Sequence, residues 1–230
     1  MATVSRFGAD AFSGAGAMSR GYEYVRDPEA IYRLSAQRVA EATDVSALPP
    51  ALVTLAYRLV HACGMPDIVG DLRWHGTPVE AAADALRAGA GVLVDCEMVA
   101  GGIIRARLPA ANEVWCTLND PRAREIQRRE RTTRSAAAVD LWRAHLSGSV
   151  VAIGNAPTAL FRLLETLTDT PELRPAAILA FPVGFVGAAE SKRALVEAGL
   201  GIPFVTLLGR RGGSAMAAAA VNALCGPLAG

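Results

Sequence analysis

The sequence predicts an α/β protein with a doubly wound parallel sheet, because three segments of its second half run an apolar strand into a small-residue turn and a helix. These strands are apolar on both faces, as in parallel sheets that helices cover on both sides. In such sheets ligands bind beyond the carboxyl ends of the strands, where helix N-termini present N–H groups and partial positive charge. We therefore expect an anion-binding site near the turns that contain Asn155, Gly184 and Gly213. The three strand segments cover residues 150–154, 177–181 and 203–208.

The first half predicts helices followed by the start of the sheet. Pro28 after Asp27 is a typical helix start. Pro49 restarts the chain into a second helix, and Gly64 and Pro66 end it. The predicted helices of the first 146 residues cover 28–41, 51–62, 77–89 and 122–146, and the predicted strands of the whole chain centre on Val92, Val114, Val150, Ile178 and Phe204.

These elements predict a five-stranded doubly wound parallel sheet of flavodoxin-like type, with a helical N-terminal segment against it. Residues 1–20 are rich in Gly, Ala and Ser and lack the apolar stretch of a signal peptide, so we expect a flexible N-terminal arm. Residues 21–230 show neither a linker nor a fixed-period repeat, and their length suits one large α/β domain. We therefore expect a single domain over 21–230.

Composition disfavours several classes of protein. The net charge of +1 gives no broad basic field, so we expect no nucleic-acid partner. The uncharged stretch after Arg211 predicts a packed helix, not a membrane span, and we expect no membrane partner. The four cysteines are widely spaced without a CxxC pair, which favours free thiols in a reducing cytoplasm over a zinc site or disulfides.

The phosphate-binding glycine motifs, the metal-binding motif HExxH and the nucleophile motif GxSxG are all absent. The histidines are therefore the main candidates for proton chemistry. His75 lies in a polar segment and His145 near the end of a long helix. His61 lies off the apolar stripe of its helix and just before the turn at Gly64. An imidazole there could exchange protons near neutral pH. From spacing alone, a bystander role at the surface is the favoured interpretation.

A set of short strings identifies a family. They include Val60-His61-Ala62-Cys63-Gly64 and Thr133-Arg134-Ser135, and they follow one another from about residue 22 to residue 224. In this order the chain closely resembles the precorrin-8X methylmutases, with their cobalt-precorrin-8 counterparts. The matching segments are 24–32, 60–64, 95–99, 105–109, 133–138, 154–160, 182–192 and 212–216.

The resemblance implies an isomerase of cobalamin (vitamin B12) biosynthesis. Family members move a methyl group from C-11 to C-12 of precorrin-8X, a tetrapyrrole, to give hydrogenobyrinate. The resemblance also implies a flavodoxin-like fold, a homodimer, and no redox cofactor or protein-bound metal. The family's catalytic histidine matches His61, its substrate-contacting serine matches Ser35, and the arginine of its Thr-Arg-Ser string matches Arg134.

The peripheral carboxylates of the macrocycle require cations and N–H groups, which Arg134, Arg105 and the turn at Asn155 could supply. Each has a simpler interpretation. Ser35 lies mid-helix, where small residues serve packing, the two arginines could be solvated, and Asn155 could cap its helix. The segment 101–104 reads Gly-Gly-Ile-Ile where relatives usually carry His-Gly and a Val-Thr pair, so one polar substrate contact is in doubt.

Three alternatives remain open on the sequence. The chain could be a noncatalytic corrin-binding protein, although the presence of His61 favours the enzyme. It could be a cobalt-precorrin-8 methylmutase, because a metal in the ring need not touch the protein. A nucleotide-dependent enzyme on the same fold is disfavoured by the missing phosphate motifs.

Overall fold

The computed structural model describes residues 22–226. In this part of the chain, the strands are β1 (Leu72–His75), β2 (Val92–Val94), β3 (Val114–Cys116), β4 (Val150–Ile153), β5 (Ala177–Ala180) and β6 (Phe204–Leu207). They form one sheet in the order β1-β6-β5-β4-β2-β3. All neighbours are parallel except β1, which pairs antiparallel with β6 at the edge. The predicted N-terminal arm, residues 1–20, lies outside the described residues.

Proline sets the start of many helices. Five of the helices begin with Pro, whose fixed φ suits the first turn and whose missing N–H costs nothing there. The side chains of Asp27, Asp120 and Thr133 accept hydrogen bonds from first-turn N–H groups of their helices. The helices are α1 (Pro28–Ala42), α2 (Pro50–Cys63), α3 (Pro78–Arg87), α4 (Glu97–Gly102), α5 (Pro121–Glu130), α6 (Arg134–Asp140), α7 (Pro157–Asp169), α8 (Ala188–Glu197) and α9 (Ser214–Ala223).

The sheet has six strands where the sequence predicts five. Each predicted strand centre lies in a strand, and the addition is the antiparallel edge strand β1. Along β1 the buried Leu72 and half-buried Trp74 alternate with exposed Arg73 and His75. This alternation of polar residues over only four positions is typical of an edge strand, and in the sequence it resembles a polar loop. His75 therefore lies in a strand and not in a loop.

The predicted helix 122–146 is also divided. α5 ends at Glu130 and is capped by Arg131, whose φ of 51° makes it the one non-glycine residue with positive φ in the described part of the chain. Thr133 then caps α6, and a single 3₁₀ turn over Arg143–His145 follows. Neither glycine nor proline marks this break in the sequence. The sequence therefore predicts one continuous helix across it.

Alternation along the strands divides the core into two layers. Val92 and Val94 pack into the cluster formed with α2, α4 and α9, whereas Leu93 between them packs on the other face with Trp142 and α7. All three strand residues are fully buried. Burial on both faces is what the apolar strand sequences predict.

The alanine-rich helix α9 packs inside the chain. Met216, Ala217 and Ala220 are buried, and a Cβ placed on Gly102 of α4 would lie only 2.7 Å from the Cβ of Ala218. The small residues therefore let α4 and α9 approach closely. Over residues 22–226, no helix combines the length and apolar character that crossing a membrane requires.

Candidate active site

A cavity of about 550 Å³ opens between α1 and the C-terminal end of α2. One wall is the face of α1 that carries Leu34, Ser35 and Arg38, and the other includes His61 and the turn at Gly64. Most of the lining is apolar. The cavity is built from helices that precede the sheet, and not from the turns after β4, β5 and β6 that the strand pattern indicates.

Ser35 and His61 meet at the wall of this cavity. The Oγ of Ser35 lies 3.0 Å from Nδ1 of His61, across the contact between α1 and α2. His61 is held near the end of α2, where Gly64 closes the helix in the left-handed conformation. Among the described residues, no hydrogen bond engages the other ring nitrogen, Nε2. The pair therefore presents an oriented imidazole with one nitrogen free for a ligand.

The exposure of His61 agrees with the predicted stripe of α2. Leu52, Leu55 and Leu59 are buried, and His61 is exposed. Arg58, three residues before His61, is buried, and its guanidinium donates a 3.3 Å hydrogen bond to the carbonyl of Gly226. The imidazole is thus the group on this turn of α2 that faces solvent and the cavity.

The turn after β4 already holds an anion of the protein itself. Asp95, which directly follows β2, is 1% exposed, and its carboxylate accepts hydrogen bonds from the backbone N–H groups of Gly154 (2.9 Å), Asn155 (3.0 Å) and Ala156 (2.7 Å). Burial raises the pKa of Asp95, and the N–H donors oppose that change. These N–H groups are therefore not free for a substrate carboxylate. The part of Asn155 that is free to bind one is its exposed side chain.

The structure does not bring the two predicted arginines to the cavity. Arg134 begins α6 and is exposed, and the preceding Thr133 bonds Thr158 of α7 at 2.8 Å. Arg105 is exposed after α4, next to Ile104, whose N–H bonds the side chain of Asn222 near the end of α9. Neither arginine forms a hydrogen bond or ion pair with another residue in the described part of the chain. Of the predicted site residues, Ser35 and His61 are the two that meet.

The turn after β6 is tied to the segment that leads from the cavity to β1. The guanidinium of Arg211 binds the carboxylates of Asp67 and Asp71, the second at 2.7 Å. Asp67 directly follows Pro66, which lines the cavity. The cavity therefore adjoins the carboxyl edge of the sheet on the side of β1 and β6.

Lys192 also holds the turn after β6. Its side chain on α8 is fully buried and donates a 2.6 Å hydrogen bond to the carbonyl of Arg211. Burial lowers the pKa of Lys192 to about 8, against the attraction of Asp71. Together the lysine, the arginine and the two carboxylates fix the position of the turn relative to the cavity wall.

Sequence reasoning missed these buried charges, although two signals were present. Asp95 stands directly after a fully apolar strand, a position where a carboxylate reaches the carboxyl edge of a parallel sheet. Lys192 is the one lysine among 23 basic residues. Within residues 22–226, no group of three or more His, Cys, Asp and Glu side chains is arranged to hold a metal ion.

Comparisons with known proteins agree on one family. The family model of precorrin-8X methylmutase matches residues 30–226. A precorrin-8X methylmutase of Pseudomonas aeruginosa is 54% identical over 202 residues, covering 88% of this chain and 97% of that protein. A cobalt-precorrin-8 methylmutase of Methanothermobacter thermautotrophicus is 37% identical over 89% of this chain and 92% of that protein. A solved precorrin-8X methyl mutase structure from Thermus thermophilus has a TM-score of 0.77 and 36% identity, covering 86% of this chain and 94% of that one.

Proposed function

The chain belongs to the precorrin-8X methylmutase family, and from that membership we propose how its own residues carry out the family's reaction. The enzyme is an isomerase of cobalamin biosynthesis that moves a methyl group of precorrin-8X from C-11 to C-12, giving hydrogenobyrinate. The observation that carries our mechanism is the pairing of Ser35 with His61 at the wall of a cavity.

His61 acts as the proton donor in this mechanism. The bond between C-11 and the methyl carbon breaks while the bond between C-12 and the methyl carbon forms. No electrons leave the molecule, because the ring double bonds rearrange to accommodate the change. Protonation of a ring nitrogen by the imidazolium withdraws electron density and favours migration, and the proton returns to the imidazole afterwards. Substrate and product are therefore isomers that differ in the position of the methyl group and in the arrangement of the ring double bonds. A positioned acid of this kind accelerates a reaction by about 10²- to 10⁴-fold.

Ser35 orients the acid. Its hydroxyl oxygen can accept a hydrogen bond from Nδ1–H both before and after Nε2 gives up its proton, so it accompanies both states of His61. In either state the hydrogen bond leaves Nε2 as the nitrogen that faces a ligand. Holding a reacting group in one geometry is itself a large part of catalysis.

We propose Arg134, Arg105 and Asn155 as further binding residues for the peripheral carboxylates. The exposed guanidinium groups without partners in the described chain support this role for the arginines, since unpaired Arg suits carboxylate recognition. Asn155 would contribute its side-chain amide, because Asp95 occupies its backbone N–H. Neither arginine lines the Ser35–His61 cavity, so each would contact parts of the macrocycle that extend beyond it.

A direct assay tests the activity and its metal preference together. Purified protein is incubated with precorrin-8X and, separately, with its cobalt form, and absorption spectra follow the appearance of the corrin chromophore. We expect turnover of the cobalt-free substrate, which the higher identity to the precorrin-8X methylmutase supports (54% against 37%). Binding of hydrogenobyrinate without turnover of either substrate would instead support a noncatalytic corrin-binding protein.

We propose a homodimer whose interface covers the loop between β5 and α8. In this loop Phe185 and Val186 are 84% and 89% exposed, which is unusual for two adjacent large apolar side chains. On α9, Ala217, Ala218 and Ala220 are buried within the chain and are not available for such contacts. Sedimentation should show a dimer, and Val186→Asp should dissociate it. An unchanged dimer in this variant would move the interface elsewhere.

Three further features complete the proposal. Residues 21–230 form one domain after an N-terminal arm, which the family match over residues 30–226 supports. The fold of this domain is flavodoxin-like. The five parallel strands, taken without β1, follow the spatial order of flavodoxin-like sheets, which supports this fold assignment.

We place the enzyme in the cytoplasm, acting without a redox cofactor, a bound metal or a nucleic-acid partner. Four free cysteines support a reducing compartment.

A further inference from the structure

The cavity at Ser35 and His61 carries one formal charge, and it is positive. Arg38 is the one charged residue among the residues that line it, and no carboxylate accompanies it there. Arg38 lies three residues after Ser35 on α1, so the two side chains share a face of the helix. The cavity therefore combines apolar walls, a hydroxyl, an imidazole and one guanidinium.

The guanidinium of Arg38 has no partner among residues 22–226: no hydrogen bond, ion pair or ring contact engages it. The acidic residue nearest along its helix face is Glu41, and Glu41 already accepts a 2.7 Å hydrogen bond from Gln37. Arg33 on the same helix is different, because Glu29 forms an ion pair with it at 3.6 Å. Arg38 thus presents an uncompensated cation to the cavity.

We propose that Arg38 binds one peripheral carboxylate of the corrin macrocycle and thereby fixes which edge of the ring faces His61. This inference rests on the proposed function, in which the cavity receives the substrate. The planar guanidinium can hold a carboxylate through two parallel hydrogen bonds. The apolar neighbours Ile31, Leu34 and Val39 reduce the screening of such a pair relative to open solvent.

This role separates binding from chemistry. Arg38 approaches a carboxylate at the periphery of the ring, whereas His61 approaches a ring nitrogen, so loss of Arg38 should act mainly on affinity. An arginine that is merely solvated would affect neither affinity nor its salt dependence. The distinction can be measured with the product, hydrogenobyrinate, whose binding requires no turnover.

The experiment compares Arg38→Gln with Arg33→Gln as a matched control on the same helix. Product affinity is measured by absorption titration at several salt concentrations, with KM and kcat for precorrin-8X. We expect Arg38→Gln to weaken product binding by roughly 10- to 100-fold, the range for losing a charge-assisted hydrogen bond. Its affinity should also depend less on salt. Arg38→Lys keeps the positive charge but cannot form the two parallel hydrogen bonds, so it should recover part of the affinity. Arg33→Gln should match the wild-type protein, because exposed ion pairs contribute little.

A second readout separates this inference from the function on which it rests. Product binding should shift the imidazole signals of His61 in nitrogen-detected NMR spectra of the wild-type protein. If the product binds without affecting His61, the cavity is not the substrate site, and both the function assigned to it and the role of Arg38 are wrong. If His61 responds and Arg38→Gln binds product with wild-type affinity and salt dependence, the role of Arg38 alone is wrong.

Discussion

Ser35 and His61 are separated by 26 residues of sequence, yet Ser35 Oγ lies 3.0 Å from Nδ1 of the imidazole. The contact depends on the packing of α1 against α2, since each helix contributes one partner. α1 has no buried residue of its own, so its position relies on this helix contact. The geometry of the proposed acid is therefore set by a peripheral helix and not by the sheet.

Replacing His61 by Asn should abolish most turnover and preserve the fold. Asn retains hydrogen-bonding capacity but cannot deliver a proton, so we expect a loss of roughly 10²-fold or more in kcat. Stability should change by less than about 0.5 kcal/mol, because the side chain is exposed. His75→Asn, in the exposed edge strand, is the control and should retain full activity. Wild-type turnover in His61→Asn would show that the imidazole only positions the substrate.

Ser35→Ala should lower kcat less than the loss of His61. One neutral hydrogen bond contributes about 1 kcal/mol, so we expect roughly a fivefold decrease. The effect should disappear in the His61→Asn background, because the serine acts through the imidazole. The four proteins form a double-mutant cycle on kcat. Equal effects of Ser35→Ala in both backgrounds would assign the serine to the substrate instead.

Asp95→Ala should destabilise the protein strongly. The change leaves three buried N–H groups without their acceptor, and we expect a loss of about 3 kcal/mol or more in the free energy of unfolding. Asp84→Ala removes an exposed ion pair with Arg87 and should cost less than about 1 kcal/mol. Urea unfolding measures both variants. Similar costs for the two would mean that water replaces the carboxylate in the turn.

Lys192 should make stability depend on pH. Its pKa is about 8 in the folded protein, whereas an unfolded lysine titrates near 10.4. Between these values the unfolded chain holds the proton and the folded chain does not, so wild-type stability rises with pH relative to Lys192→Met. We expect the difference between the two proteins to grow by about 1–3 kcal/mol from pH 7 to pH 10.

Urea unfolding of both proteins at each pH provides the measurement. All other titratable groups are common to both proteins, so their contributions cancel in the difference. The groups that act on Lys192 are the carboxylate of Asp71 and the carbonyl of Arg211. A difference that stays constant with pH would show that the buried amine keeps its proton.

Periodicity predicted the elements that are regular over many residues. The apolar segments at 150–154 and 177–181 contain β4 and β5, and proline with Asp27 marked the start of α1 within the sequence. β1 escaped prediction because a four-residue edge strand exposes every second side chain. The break at Arg131 escaped because its left-handed backbone occurs at a residue that rarely adopts it.

The candidate site was predictable only in part. His61 could be found because exposure next to a helix end is visible in the spacing of α2, and Ser35 followed from the family resemblance alone. Their contact depends on how α1 packs, which local spacing does not specify. The role of Asp95 in the turn at Asn155 depends on the lateral order of β2 and β4, which is a property of the whole sheet.

The carboxylate of Asp95 occupies, within the protein itself, a position where a ligand would otherwise bind. In doubly wound proteins, a helix N-terminus beyond a central strand is where a nucleotide phosphate commonly sits. Here a carboxylate of the chain itself occupies that cradle of N–H groups through hydrogen bonds, so no entropy of association is lost and the place of a nucleotide phosphate is taken. In the function proposed here, the recognition of a bulky organic acid falls instead to helices outside the sheet. Reopening the cradle with a glycine at this position would be a rational first step toward a phosphate-binding variant.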